Sequence, residues 1–210
     1  FFPNWAEPIF YKKIKNDDLD YFIFPKGFNI LFTGNIGDSQ GFEDVLKAAK
    51  LTSNKSINWI LIGDGRKKVW IENQIKIKDL KNIYLPGRYP MELMPYYFSK
   101  ADSLLITLKK DKVFSNTLPG KFQPYLTSGK PILGNLSGEG LALIKENELG
   151  LGCNPGNPEL LANLAIELSL FSGSKLKEIG NNCLELDKTI FKKEIIFKTL
   201  LKEVESFNLN

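Results

Sequence analysis

Short apolar runs alternate along the chain with longer stretches in which apolar residues recur every three or four positions. The short runs are bounded by Gly, Pro, Asn or Asp, which is typical of buried strands. The runs predict six strands, at residues 28–34, 57–63, 82–87, 102–108, 130–135 and 150–154. The helical spacing predicts helices at 41–52, 68–80, 90–101, 118–129 and 158–171, and a long helix from residue 187 onward.

Strands that alternate with helices favour βαβ units and a parallel sheet covered on both faces. The predicted fold class is therefore α/β: a doubly wound, Rossmann-like parallel sheet of about six strands with a long C-terminal helix. In the strand order 3-2-1-4-5-6, a ligand crevice opens beyond the C-terminal ends of the first and fourth strands. We expect residues 1–27 to be a linker segment, 28–186 the Rossmann-like domain and 187–210 a C-terminal helix.

Composition narrows the classes of function. The chain has 210 residues, 43% of them hydrophobic and 25% charged, as expected for one globular domain. Its net charge of +4 is spread along the chain and does not point to a nucleic acid. The absence of histidine excludes Ser/His/Asp and Cys/His catalysis and His-ligated zinc. Cys153 and Cys183 stand in no metal or redox spacing, which favours free thiols in a reduced, cytosolic chain.

A glycine-rich turn, "FTGNIGDSQG", follows the first predicted strand and holds Gly34, Gly37 and Gly41. Its spacing does not match the dinucleotide fingerprint, and no Gly-Lys-Ser/Thr follows as in a Walker loop. Asp64, at the end of the second strand, lies between two glycines, so a turn acid explains it more simply than a ribose ligand. Backbone N–H groups beside a helix N-terminus favour an anion here, although the glycines are also compatible with a tight turn alone.

Five blocks occur in order between about residues 28 and 168: "LFTGNIGDSQGFEDVLKAA", "NWILIGDGRKK", "NIYLPGRYPMELMPYYFSKADSLLITL", "SNTLPGKFQPYLTSGKPIL" and "GLGCNPGNPELLANLAIEL". Together they resemble the C-terminal, nucleotide-sugar-binding domain of retaining glycosyltransferases with two Rossmann domains (the GT-B architecture), in the branch that builds bacterial surface polysaccharides. "FFPNWAEPIF" is similar to the segment where the N-terminal domain of such enzymes leads into the second. The resemblance implies that the C-terminal helix packs back toward an N-terminal domain.

The resemblance also implies a function. The chain would be the donor-binding half of a hexosyltransferase, which takes a nucleotide-diphosphate sugar, preferably a UDP-sugar, and serves a glycan or lipid-linked acceptor. The acceptor would bind mainly to the missing N-terminal domain, so we expect this fragment alone to be inactive. No cofactor, metal or nucleic acid is expected. The expected location is the cytoplasm, and a peripheral position at the inner membrane is the alternative for the full-length protein.

The chain departs from the common pattern of that branch at four positions. An Arg and a Lys on the donor diphosphate are common where this chain has Asn35 and Gln40, and two glutamates are common where it has Asn116 and Pro124. A subgroup resembles the "GNIG…QG" and "LPGK" forms found here. Two alternatives therefore stay open: a non-catalytic module that kept the fold but lost the site, and a two-Rossmann nucleotide-sugar epimerase domain, which the absence of histidine and the "LPGK…YLTSGKPIL" block disfavour.

Two cations are the catalytic candidates. Lys121 is predicted one turn into a helix that Thr117 caps, where it would neutralise the leaving diphosphate; the alternative is a solvated helix lysine. Arg88, in "PGRYP" after the third strand, belongs to a loop that meets the nucleobase in the family; the alternative is a surface turn. The predicted donor-binding residues are Gly34, Asn35, Gly37, Gln40, Gly41, Gly87, Tyr89, Ser115, Asn116, Thr117 and Glu139.

Overall fold

The computed structural model describes residues 3–12, 22–115 and 117–207. Six parallel strands form one sheet in the order β3-β2-β1-β4-β5-β6. The strands are β1 (Phe28–Asn35), β2 (Ile57–Asp64), β3 (Ile83–Gly87), β4 (Ser103–Thr107), β5 (Ile132–Asn135) and β6 (Gly150–Cys153). All six predicted strands and their order are confirmed.

Helices connect the strands and cover both faces of the sheet. They are α1 (Phe42–Leu51), α2 (Lys68–Ile77), α3 (Met94–Lys100), α4 (Lys112–Ser115), α5 (Phe122–Leu126), α6 (Glu139–Glu146), α7 (Pro158–Leu170), α8 (Gly173–Leu186) and α9 (Lys193–Phe207). A 3₁₀ turn, Met91–Leu93, precedes α3, and another, Pro8–Tyr11, lies in the N-terminal segment. The doubly wound α/β class is therefore confirmed.

Two apolar layers sandwich the sheet, because neighbouring residues of a strand point to opposite faces. Ile30 and Phe32 of β1 pack with α1 and α7 on one face, where Trp59 is fully buried. Leu31 packs on the other face, with α3 and α5. Every strand residue from Ile30 to Phe32 is therefore buried, which explains the continuous apolar run in the sequence.

β1 lies between β2 and β4, where the direction of chain winding reverses. It runs in register with β2 over its whole length, so that Asn35 lies opposite Asp64 at the strand ends. With β4 it pairs at Ile30 and Leu31 alone among the described residues. The C-terminal ends of the two strands therefore separate, and open sheets bind ligands at such a point.

The structure corrects the local prediction around Lys121. α5 begins at Phe122, with Lys121 at its N-cap position rather than one turn inside the helix. Thr117 does not cap it, since its hydroxyl donates to the carbonyls of Val113 and Phe114 in α4. The reason is Pro119, which disfavours helix in the residue before it and leaves a turn closed by the Phe122 N–H and the Pro119 carbonyl (2.8 Å).

The C-terminal region is helical over a longer range than predicted. α8 continues into a π-helical turn, Asp187–Phe191, and the chain then breaks at Lys192, which is extended, before α9 begins. The long C-terminal helical region is thus confirmed, although its start lies at Gly173 and the break divides the stretch predicted from residue 187. α6 and α8 were not predicted. Residues 208–210 of the predicted helix lie outside the described residues.

The N-terminal segment packs against the domain. Trp5 lies beside Phe197 of α9, with ring centroids 5.5 Å apart. Phe10 stacks on Phe98 of α3. The division of the chain at residues 27 and 186 stays a prediction, and residues 13–21 of the predicted linker lie outside the described ranges. Within those ranges, no helix combines the length and the apolar composition needed to cross a membrane.

Candidate functional site

A cavity of about 510 Å³ opens at the C-terminal ends of β1, β2 and β3. Its walls come from the ends of β1 and β2, from the loop, turn and helix that follow β3, from the start of α5 and from the N-terminal segment. Five of the residues predicted from the sequence line it together: Gly34, Asn35, Arg88, Tyr89 and Lys121. Parallel strands carry their C-terminal ends to one edge of the sheet, and so residues distant in sequence meet here.

The three glycines of the loop after β1 have different environments. Gly34 has a φ of +124° and faces the cavity, where an added Cβ would lie 3.7 Å from the Lys121 amine. Gly41 precedes α1, and an added Cβ would lie 3.0 Å from the Leu108 carbonyl and the Thr107 hydroxyl. Gly37 packs against the side chain of Asn35. Gly34 therefore serves the cavity, whereas Gly37 and Gly41 allow close packing of the loop.

Lys121 is one of two basic residues that line the cavity within the described ranges, the other being Arg88. The side chain of Lys121 is half-buried, and its Nζ atom lies 3.6 Å from the centroid of the Phe32 ring and 3.5 Å from Oε1 of Gln40. Among the described residues, no carboxylate lies within salt-bridge distance of it. Burial without a counter-ion lowers the pKa of Lys121 to about 7. This half-buried environment differs from that of a solvated helix lysine, and the role of Lys121 stays a prediction.

Gln40 lies beside this amine although it does not line the cavity. It is buried, its amide nitrogen bonds to the hydroxyl of Ser39, and its amide oxygen faces Lys121. The neutral residue at this position thus orients a cation that reaches it from α5, 81 residues further along the chain. The resemblance implies a basic side chain at residue 40. Here residue 40 is neutral, and the amine of Lys121 lies next to it instead.

The loop after β3 forms another part of the wall. Gly87 has a φ of +98° and directs the chain into Arg88, which is exposed at the cavity. The ring of Tyr89 packs on that of Tyr97, with centroids 4.8 Å apart. A guanidinium group and an aromatic ring therefore border the cavity side by side.

Tyr125 closes the floor of the cavity. It is fully buried in α5, and its hydroxyl accepts a 2.8 Å hydrogen bond from the backbone N–H of Thr33 in β1. Burial raises the pKa of Tyr125 to about 12. The bond ties α5 to β1, and so it fixes Lys121 relative to Gly34.

Asp64 has two roles. Its Oδ1 atom accepts a hydrogen bond from the next backbone N–H, that of Gly65 (2.8 Å), as a turn acid does. It also lines the cavity, opposite Asn35. Its place at the end of a parallel strand was the signal that could have identified it as a cavity residue.

Other lining residues escaped sequence reasoning because they belong to apolar patterns or lie before the sheet. They include Phe10, Met91, Met94, Phe98 and Tyr125. Conversely, two predicted donor-binding residues are exposed and lie outside the cavity lining, namely Thr117 and Glu139, the first residue of α6. Asn116 and the side chain of Ser115 lie outside the described part of the chain. The roles of these residues stay predictions.

The arrangement has one part around the Lys121 amine and another that is mainly aromatic and apolar, with Arg88 beside it. Lys121, whose amine lies close to Gly34 at the end of β1, is suited to an anion. The aromatic and methionine side chains on the other side favour a flat, weakly polar group. The cavity therefore suits a ligand that joins an anionic group to a planar ring.

The fold is that of a Rossmann-like α/β protein, with a cavity at the C-terminal edge of its parallel sheet. A model of the family Glycosyl transferases group 1 matches residues 14–183, and the chain belongs to that family. This finding confirms the resemblance identified from the sequence blocks.

Two curated proteins are similar to the chain. WbjE of Pseudomonas aeruginosa, a probable glycosyltransferase, is 27% identical over 190 residues, which are 88% of this chain and 47% of WbjE. WcaI of Escherichia coli K12, a putative colanic acid biosynthesis glycosyl transferase, is 27% identical over 134 residues, which are 61% of this chain and 33% of WcaI. The chain thus spans half or less of the length of these relatives.

Among solved structures, that of HepE from Anabaena in complex with UDP-glucose superposes with a TM-score of 0.71. The identity is 18%, and the match covers 86% of this chain and 49% of HepE. At this level of identity the likeness concerns the fold.

Proposed function

We propose that the chain is the donor-binding half of a glycosyltransferase that transfers a sugar from a nucleotide-diphosphate sugar to a glycan or lipid-linked acceptor. The observation that carries the proposal is the ammonium group of Lys121, which lies in the wall of the switch-point cavity with no carboxylate beside it among the described residues. A buried charge without a partner is costly, and a diphosphate would supply that partner.

In a retaining transfer the bond between the anomeric carbon and the diphosphate breaks, and the diphosphate oxygen gains negative charge. A fixed cation aimed at that charge lowers the barrier, because its stabilisation grows toward the transition state. Lys121 is the candidate for this role. It is pre-positioned by Phe32 and Gln40, and Tyr125 of its own helix is bonded to β1.

The nucleoside end of the donor is proposed to lie toward Arg88 and Tyr89. These residues border the cavity on the side away from β4, and an aromatic ring and a guanidinium group are both suited to a planar base. UDP-sugars are the preferred donors in this proposal. The resemblance supports that choice, and so does the UDP-glucose named for the HepE complex.

The acceptor is proposed to bind to an N-terminal domain of the same protein. The coverage of WbjE and WcaI supports a longer protein, and the name of WcaI supports a role in surface polysaccharide synthesis. Closure of two domains around a donor excludes water and orients the acceptor hydroxyl, and this fragment would lack that step. We therefore expect it to bind donor and transfer nothing.

The proposed setting is the cytoplasm, with the whole enzyme at the inner membrane, where lipid-linked acceptors are located. Both cysteines, Cys153 and Cys183, are free and buried, which agrees with a reducing compartment. Membership of Glycosyl transferases group 1 supports sugar transfer rather than epimerisation.

The test is a titration of the isotope-labelled chain with UDP-glucose, UDP, GDP and ADP, followed by NMR. We expect dissociation constants on the order of 0.1–1 mM, since one open half-site buries little of the ligand. Shifts should cluster at residues 34–41, 87–89 and 115–121. Lys121→Gln should remove most of the binding, and the exposed Lys110→Gln should not. If no nucleotide causes shifts at several millimolar, the alternative is favoured, namely a non-catalytic module that kept the fold but lost the site.

A further inference from the structure

The N-terminal segment reaches into the cavity through one aromatic side chain, Phe10. The turn Pro8–Tyr11 packs against the turn Met91–Leu93 and against α3. Phe10 consequently lines the same cavity as Arg88 and Tyr89, although it precedes the first strand. A segment outside the sheet thus contributes to the wall on the nucleoside side.

One contact of the Phe10 ring and two contacts of the surrounding turn hold this residue in place. Its ring stacks on Phe98 with centroids 6.0 Å apart and an interplanar angle of 12°. The hydroxyl of Thr127, which donates to the Pro124 carbonyl (2.8 Å), also lies 3.3 Å from the Phe10 carbonyl. The hydroxyl of the neighbouring Tyr11 donates to Oδ1 of Asp187 (3.1 Å), a carboxylate that is 3% exposed. The ring is therefore pre-organised at the cavity and would lose little conformational freedom on binding.

The surroundings of Phe10 are apolar. Met91, Met94 and Phe98 border the cavity around it, and the ring is itself half-buried. The cation, by contrast, lies over Phe32 in β1, in another part of the cavity. A nucleoside diphosphate likewise has an aromatic end and an anionic end, since its planar base is joined through a sugar to the diphosphate.

We propose that Phe10 stacks against the nucleobase of the donor, so that the segment before the sheet completes the donor site. This inference rests on the proposed function, because it assumes that a nucleotide occupies the cavity. Stacking on an aromatic ring is similar for all bases, since each base has a π-face. Phe10 should therefore contribute affinity for nucleotides in general, and base selectivity would come from the loop at Arg88.

The test compares two ligands that share the diphosphate and differ in the base: UDP and inorganic pyrophosphate. In the 210-residue chain, Phe10→Ala should weaken UDP binding about 10-fold, as expected for the loss of one stacking ring. Pyrophosphate binding should not change. Phe10→Trp should keep UDP affinity near the wild-type value, and the loss with Phe10→Ala should be similar for ADP and GDP.

Trp5→Ala is the matched control. Trp5 belongs to the same segment but packs on Phe197 of α9, outside the cavity lining, so its loss should leave UDP binding unchanged. Equal weakening of UDP and pyrophosphate by Phe10→Ala would show that Phe10 only supports the fold of the site, and unchanged UDP affinity would also overturn the inference. A wild-type chain that binds neither ligand would overturn the proposed function and this inference with it.

Discussion

Lys67 and Lys121 lie in two regions of the molecule and have similar surroundings, but differ in their charged partners. Each side chain is half-buried and places its ammonium group against an aromatic ring, 4.6 Å from the centroid of Trp70 for Lys67 and 3.6 Å from that of Phe32 for Lys121. Lys67 forms a salt bridge with Glu43 of α1. Lys121 has no carboxylate partner among the described residues.

The difference separates a structural charge from one that is available to a ligand. The salt bridge of Lys67 joins α1 to the start of α2, and the cavity lies elsewhere. Desolvation raises the pKa of Glu43, but the hydrogen bond and charge of Lys67, a backbone hydrogen bond and the charge of Lys109 together outweigh it and leave that pKa below its ordinary value. At Lys121 desolvation acts alone and lowers the pKa of the amine. An anion from outside would restore the charge there.

The largest expected effect is on catalysis by the whole enzyme. Lys121→Ala should lower turnover ~10²–10³-fold, because it removes one group that stabilises the charge developing on the diphosphate. Lys67→Ala, the control in the second region, should leave turnover near the wild-type value. Steady-state kinetics of both variants test this. Similar turnover in the two variants would show that Lys121 contributes no more to catalysis than Lys67 does.

The next effect is on the pH dependence of binding. With a pKa of about 7 for its amine, Lys121 is protonated at pH 6 and mostly neutral at pH 8.5. UDP-glucose, whose esterified diphosphate does not titrate in this range, should therefore bind ~30-fold more weakly at the higher pH. Lys121→Arg keeps a permanent charge and should show a flat profile. Calorimetric titration at the two pH values tests this, and parallel profiles for the two proteins would contradict it.

The smallest effect is on stability, and its sign should differ between the two regions. At pH 7, Lys121→Met should raise the free energy of unfolding by roughly 0.5–2 kcal/mol, since it removes a desolvated amine from a functional site. Lys67→Met should lower it by about 0.2–1 kcal/mol, since it leaves Glu43 without its partner. Chemical denaturation of the two variants measures both values, and effects of equal sign would contradict the comparison.

The pH windows of these two stability effects also differ. Since the folded Lys121 amine loses its proton at a lower pH than the unfolded one, the unfolded chain binds more protons between pH 7 and the ordinary value of 10.5. The advantage of Lys121→Met should shrink across that window as pH rises. The Glu43 contribution is present above its ordinary value of 4.5, and it is lost as pH falls through the lower folded pKa.

The sequence by itself determined the sheet and the edge of the sheet at which the cavity opens. Apolar runs bounded by turn residues are a local signal, and they predicted all six strands and their order. Parallel strands end at a common edge, and this topological rule placed the loop with Gly34 and Asn35 at the predicted site, whereas Arg88 was identified through the resemblance. Lys121 was identified through the resemblance and its place after β4, although its local helix position was wrong.

The tertiary structure alone decided the environments that give these residues their chemistry. The lowered pKa of Lys121 depends on its place over Phe32 and beside Gln40, 81 residues away, which no local pattern encodes. Phe10 reaches the cavity through contacts of its segment with Phe98 and, across 176 residues from Tyr11, with Asp187. Periodicity reports which face of an element is buried, but desolvation and cavity shape arise between elements, from packing that forms only when the whole chain has folded.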